Sequence, residues 1–124
     1  MIHFEIPIRI PTLNVWQRLH WAKRKKVARD IAWAIRAALP AGMYPKRPLK
    51  ECFIDIQRES TKEPDADNLH AGAKCLLDAL QPPSKRHPLG LGIIADDSPR
   101  CLLRLTVRHL AGKGQRTIVR IEEP

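Results

Sequence analysis

Apolar and polar side chains alternate without a break from Ile2 to Ile10: Ile2, Phe4, Ile6, Ile8 and Ile10 fall on one side, His3, Glu5 and Arg9 on the other. A period of two predicts a half-buried strand over 2–10, and Pro7 within it predicts an edge position or a bulge. Pro11-Thr12-Leu13-Asn14 reads as a turn. From Val15 to Leu39 the period lengthens to that of a helix, with Val27, Ile31, Ala34, Ile35 and Ala38 on its apolar face, and Pro40-Ala41-Gly42 stops it. Beyond a Pro/Lys/Arg loop, Cys52, Ile54 and Ile56 alternate with Phe53 and Asp55, predicting a second strand over 51–57. A polar loop at 58–66 leads into a second helix over 68–80, built on Leu69, Ala73, Leu76, Leu77 and Leu80. A Pro-rich basic loop, Gln81 to Gly90, precedes the short apolar segment 91–94 and then Ala95-Asp96-Asp97-Ser98-Pro99. Two last strands, 101–109 and 115–122, flank Gly112-Lys113-Gly114, which predicts a hairpin turn. The order β-α-β-α-β-β predicts an α+β fold, one mixed sheet packed by two helices.

The length of 124 residues predicts a single small domain, whose modest core a homodimer would enlarge. No window approaches the ~20 apolar residues of a membrane-spanning helix. The N-terminal Met-Ile-His-Phe-Glu lacks a basic stretch followed by an apolar one, which predicts no signal peptide and a cytoplasmic protein. The three cysteines, Cys52, Cys75 and Cys101, are odd in number and widely spaced. That pattern argues against zinc and for small hydrophobes in a reducing compartment.

Charge changes the picture. Lys and Arg number 22 against 13 Asp and Glu, a formal net charge of +9 and a pI near 10.0. Such a balance predicts salt-sensitive binding to a polyanion, with nucleic acid first, although solubility or an acidic protein partner would also explain it. Within this basic chain the carboxylates of Asp65-Ala66-Asp67-Asn68 and Asp96-Asp97 are grouped, and bare they would repel a phosphate backbone. They make sense if a hard divalent cation such as Mg²⁺ or Mn²⁺ bridges them to phosphate, since its ligands are Asp and Glu oxygens. A metal so placed is suited to phosphodiester hydrolysis.

Each piece also has a plain structural reading. Asp-x-Asp-Asn before an apolar helical run is a good N-cap region, and Asp96-Asp97-Ser98-Pro99 is an ordinary turn. Lys74, seven residues after Asp67 on the same helical face, can reach back toward the helix start and face a transferring phosphate. It can equally pair with Asp78 at i,i+4. His70 reads as a solvent-facing side chain.

The stretch Asp65-Ala66-Asp67-Asn68-Leu69, then Lys74 and Asp78-Ala79-Leu80, then Gly92-Ile93-Ile94-Ala95-Asp96-Asp97 resembles the RusA family of Holliday junction resolvases. The Pro11-Thr12-Leu13-Asn14-Val15-Trp16 turn also resembles that family's Pro-x-x-Asn segment after the first strand. The similarity runs in order over nearly the whole chain. It implies a RusA-like fold and a homodimeric, Mg²⁺-dependent endonuclease of prophage or phage origin. Such an enzyme cuts four-way DNA junctions by two symmetric nicks, in DNA recombination and repair. The resemblance implies that Asp65, Asp67 and Asp97 are metal-holding catalytic carboxylates, with Asp96 at the adjacent acidic position and Lys74 as the catalytic lysine. The lysine departs from the founding pattern, where it follows the second Asp by four residues rather than seven; Ala71 holds the nearer position here. The loop Pro82–Gly90 is also longer than usual.

A four-way junction has approximate two-fold symmetry, which a two-fold dimer matches, and its recognition rests on branched shape and phosphates. Candidate phosphate contacts are Arg18, Lys23, Arg24, Lys25, Lys26 and Arg29 on the first helix, with Lys85 and Arg86 in the loop. The run Lys23–Lys26 also fits a merely solvated face. Trp16, Trp21 and Trp33 suit stacking on opened bases, but packing in the helical core or a dimer is the more ordinary use. Two rivals carry no chemistry: a non-catalytic basic DNA-binding protein of phage origin, whose carboxylates only cap helices, and a basic partner-binding protein with no DNA role.

Overall fold

The opening alternation becomes strand β1 (Ile2–Ile6) in the computed structural model, which describes all residues from Met1 to Pro124. Ile2, Phe4 and Ile6 are buried and His3 and Glu5 exposed, as a period of two requires. The ladder stops at Pro7, which has no N–H to donate, so the strand is shorter than the alternation that continues to Ile10. The remaining elements are α1 (Leu13–Arg18), α2 (Trp21–Ala38), a 3₁₀ turn (Ala41–Met43), β2 (Cys52–Ser60), α3 (Ala66–Gly72), α4 (Lys74–Leu80), β3 (Leu102–Ala111) and β4 (Thr117–Glu122). The fold is α+β, with one four-stranded mixed sheet in the order β1-β4-β2-β3.

Rows across the sheet explain where the core sits. Ile2, Ile121 and Ile54 are aligned in one row, and Phe4, Val119 and Ile56 in the next. All six are buried, and each contributes about 1.5–3 kcal/mol on leaving water. Helix α2 packs its Ile31, Ala32 and Ile35 into this core and lies against β1 and α4, while α3 lies against β3 and α1. The opposite face of the sheet is polar: Arg108 grips Asp55 with two hydrogen bonds of 2.7 and 3.1 Å, and Arg104 lies over Phe53. A sheet covered on one side only accounts for the clean alternation in β1.

Three sequence expectations are corrected here. The final hairpin is absent: β2 lies between β3 and β4, parallel to the first and antiparallel to the second. Strands β2 and β4 have equally dry alternating faces, Cys52, Ile54 and Ile56 on one and Thr117, Val119 and Ile121 on the other, at 0 to 1% exposure. Both take the central positions, where a neighbour on each side completes their burial. The Gly112-Lys113-Gly114 segment instead arches over the end of β2 and closes on Glu59. A Cβ on either glycine would stand 2.1 Å from a Glu59 carboxylate oxygen.

The first predicted helix is two helices, separated where Leu19 and His20 turn extended. His20 Nδ1 accepts from Ala22 N at 3.2 Å and caps α2, while the Arg24 guanidinium donates to the carbonyls of Trp16 and Gln17 that end α1. The second predicted helix also divides, at Ala73, though the chain there keeps helical angles. Tighter i→i−3 bonds, Ala73 N to His70 O and Leu76 N to Ala73 O, mark the join.

Cys52, Cys75 and Cys101 are free and buried. Burial pushes the Cys52 thiol up to about 12, with Cys101 adding to it, and burial does the same for Cys75. At neutral pH such thiols stay protonated, and the thiolate is the reactive form. Cys52 and Cys75 are therefore expected to resist a thiol-exchange reagent in the native protein and react promptly in denaturant; fast native labelling of either would contradict the packing described. No helix is long and apolar enough to cross a membrane.

Candidate nuclease site

Asp65 stands at the N-cap of α3, the place the capping reading assigns it, but its side chain makes no cap hydrogen bond. Asp67 lies in the first turn of the same helix, where the helix dipole favours a negative charge. Both are exposed and neither forms an ion pair. Their neighbour Asn68 does structural work, since its Oδ1 accepts from Asn14 N at 2.8 Å and so ties α3 to the first turn of α1. His70 is exposed, as expected.

The second acidic segment is carried into place by backbone bonds. The last carbonyls of a helix lack intrahelical partners, and α4 finds them in the apolar segment that follows. Leu91 N bonds Ala79 O, Gly92 N bonds Gln81 O, and the amides of Ile93 and Ile94 both bond Leu80 O. Gly92 sits at φ +69°, a left-handed conformation that glycine adopts without strain. Ile93 and Ile94 are fully buried, and Leu49 bonds the segment from its far side through Ile93 O and Ala95 N. Asp96 and Asp97 emerge directly after this anchored stretch. Ser98 and the backbone N–H of Asp97 hold the Asp96 carboxyl below its ordinary range.

Lys74 meets that segment. Its Nζ donates to Asp78 Oδ1 at 2.8 Å and also to Asp97 Oδ2. The i,i+4 pair is thus present, and a long-range partner joins it. Partial burial alone would lower the Lys74 pKa, but the two carboxylates outweigh it and raise it. The ammonium is therefore charged at any physiological pH. His87 Nε2 approaches the other oxygen of Asp78 at 3.5 Å, which extends the chain of polar groups into the basic loop.

That loop and α2 enclose a cleft of about 470 Å³, into which five of the predicted phosphate contacts converge: Lys25, Lys26, Arg29, Lys85 and Arg86. Trp21 and Asp78 line it too. Arg18, Lys23 and Arg24 do not line it, and Arg24 is engaged with the carbonyls of α1. Core packing, one of the two ordinary uses expected of the tryptophans, holds for one of the three. Trp16 is half-buried against the core, whereas Trp21 and Trp33 are 64% and 54% exposed.

The donor chemistry suits a hard cation, but the carboxylates are not assembled into a cage: no three Asp, Glu, His or Cys side chains are gathered closely enough to hold a metal ion. Magnesium ordinarily takes one or two protein carboxylates and completes its shell with water and phosphate oxygens. Asp65 and Asp67, exposed and unpaired, fit that limited demand, while Asp97 is at present shared with Lys74.

Two functional candidates escaped the sequence reading. Arg9 and Arg58 line a second cleft together with Asp65. The signal for Arg58 lay in β2, where the buried face of Cys52, Ile54 and Ile56 continues to a guanidinium. It was missed because the predicted strand stopped at 57. No family model matches the chain, and no curated protein matches it.

Proposed function

We propose that the protein is a Mg²⁺-dependent, structure-selective endodeoxyribonuclease of the RusA type, acting as a homodimer on four-way DNA junctions in the cytoplasm. The observation that carries this reading is the contact between Lys74 and Asp97, which joins α4, the helix that follows the one carrying the first acidic segment, to the second acidic segment. Asp65, Asp67 and Asp97 would hold the metal, with Asp96 in support and Mn²⁺ as a possible substitute. When bound, the ion supplies Lewis-acid polarisation of the phosphodiester. Lys74, permanently charged and steadied by Asp78, donates to a non-bridging phosphate oxygen as negative charge builds there. An approaching phosphate competes with Asp97 for the ammonium and so frees a carboxylate beside it. The basic cleft of Lys25, Lys26, Arg29, Lys85 and Arg86 takes the flanking backbone, which makes affinity strongly salt-dependent.

A labelled synthetic four-way junction and a matching linear duplex, each with Mg²⁺ or with EDTA, test the proposal. Paired nicks in the junction alone, and only with Mg²⁺, are expected. Binding without cleavage in both Mg²⁺ and Mn²⁺ would favour the non-catalytic DNA-binding alternative, the reading that the unassembled carboxylates support.

A further inference from the structure

Strand β2 breaks its own pattern at Arg58. After Cys52, Ile54 and Ile56 the buried face presents a guanidinium only 7% exposed, where the alternation leads to another aliphatic side chain. The whole row is polar. Arg58 pairs in register with Thr117 on one side and His109 on the other. The Thr117 hydroxyl is occupied between Ile8 O and Ile10 N, and a His109 ring nitrogen lies 2.8 Å from Ser60 O. The apolar rows of the sheet therefore end in a polar shelf beneath the 8–10 segment.

Arg9 belongs to that segment and shares the shelf. It donates to Glu59 O at 2.9 Å and to Gly114 O at 2.8 Å, and Arg58 Nε donates to Ile10 O. These carbonyls orient both guanidiniums without neutralising either, and no carboxylate stands within ion-pair distance of Arg9 or Arg58. Burial, and then the charge of Arg9, lower the Arg58 pKa. A buried cation without a counter-charge is unfavourable, and a second cation beside it makes matters worse. Two planar guanidiniums without a counter-charge are an arrangement that binds an oxyanion through paired N–H donors.

Both arginines line a cleft of about 480 Å³ whose lining contains no hydrophobic residue. Lys62 adds a third cation, and Glu63 and Asp65 bound the same space. We infer that this cleft is a phosphate-binding site, in which Arg9 and Arg58 grip a phosphodiester of a nucleic acid strand beside Asp65. The nucleic acid origin of the phosphate rests on the proposed nuclease function; the preference for an oxyanion does not. Seated there, a backbone phosphate would fix the position of its strand relative to Asp65, which makes the arginines positioning residues.

The test uses the full chain. The arginine Nε–Hε signals are followed by NMR as inorganic phosphate is added, against sodium chloride at equal ionic strength. Saturable shifts of Arg9 and Arg58 with phosphate alone are expected. In parallel, four-way junction binding in EDTA is measured over a range of salt for the wild type and Arg58→Gln. The slope of log affinity against log salt should fall by about one in the variant. If thermal melting shows that Arg58→Gln does not fold, Lys62→Ala replaces it, because that side chain is exposed and makes no hydrogen bond of its own. Absence of a phosphate response at either arginine overturns the site, and a response with an unchanged slope overturns its nucleic acid ligand. Loss of Mg²⁺-dependent cleavage with both results intact would count against the nuclease reading alone.

Discussion

Asp67→Asn is expected to reduce Mg²⁺-dependent junction cleavage by on the order of 10²–10³-fold, while junction binding in EDTA stays intact or tightens. The substitution preserves shape and removes one negative charge from an exposed side chain in the first turn of α3. Its structural penalty is confined to the lost helix-dipole interaction, about 0.3–1 kcal/mol. A large loss of activity therefore cannot be ascribed to unfolding, and a melting curve run beside the assay checks this. Binding should tighten because the carboxylate repels the phosphate backbone whenever no cation lies between them. Cleavage at near the wild-type rate would remove Asp67 from the metal site, and with it the main support for the resolvase reading.

Gly72→Ala is expected to destabilise the protein by about 2–3 kcal/mol, the range of an overpacked core position, read as a melting temperature lowered by roughly 10 °C. A Cβ built on Gly72 stands 2.3 Å from Pro11 O and 2.8 Å from Thr12 Cα, both backbone atoms with little freedom to retreat. The contact matters for function as well as stability. It seats the end of α3 against the turn before α1, and Asn68 reinforces the same junction through Asn14. Loosening it would let the helix that carries Asp65 and Asp67 shift against the sheet. Junction cleavage should accordingly fall even at temperatures where the variant is folded. An unchanged melting temperature would show that the Pro11–Thr12 turn gives way easily.

Particular residues show why the sequence was readable in some places and opaque in others. The alternation of Ile2, Phe4 and Ile6 and the spacing of Ile31 and Ile35 marked buried faces correctly, because each pattern reports one element's own geometry. The breaks inside the helices were hidden. His20 is an unusual cap, and Arg24 closes α1 from the following helix, so neither carries a familiar sequence mark. Gly112-Lys113-Gly114 resembles a hairpin turn, yet its glycines are needed to make room for the Glu59 carboxylate. Local turn chemistry alone could not reveal that β2 would enter between the two strands it joins.

The same division holds for the candidate site. The grouped carboxylates, the excess of basic residues and the i,i+4 spacing of Lys74 and Asp78 are properties of chain order and helical period, and the sequence by itself determined them. The tertiary structure alone decided that Lys74 would meet Asp97, that α2 and the 82–90 loop would enclose one cleft, and that Arg9 and Arg58 would lie together without a counter-charge. Those outcomes depend on pairings between residues far apart in the chain. Such pairings are selected by the burial of whole sheet rows and by backbone groups seeking partners, quantities that no local window of sequence contains.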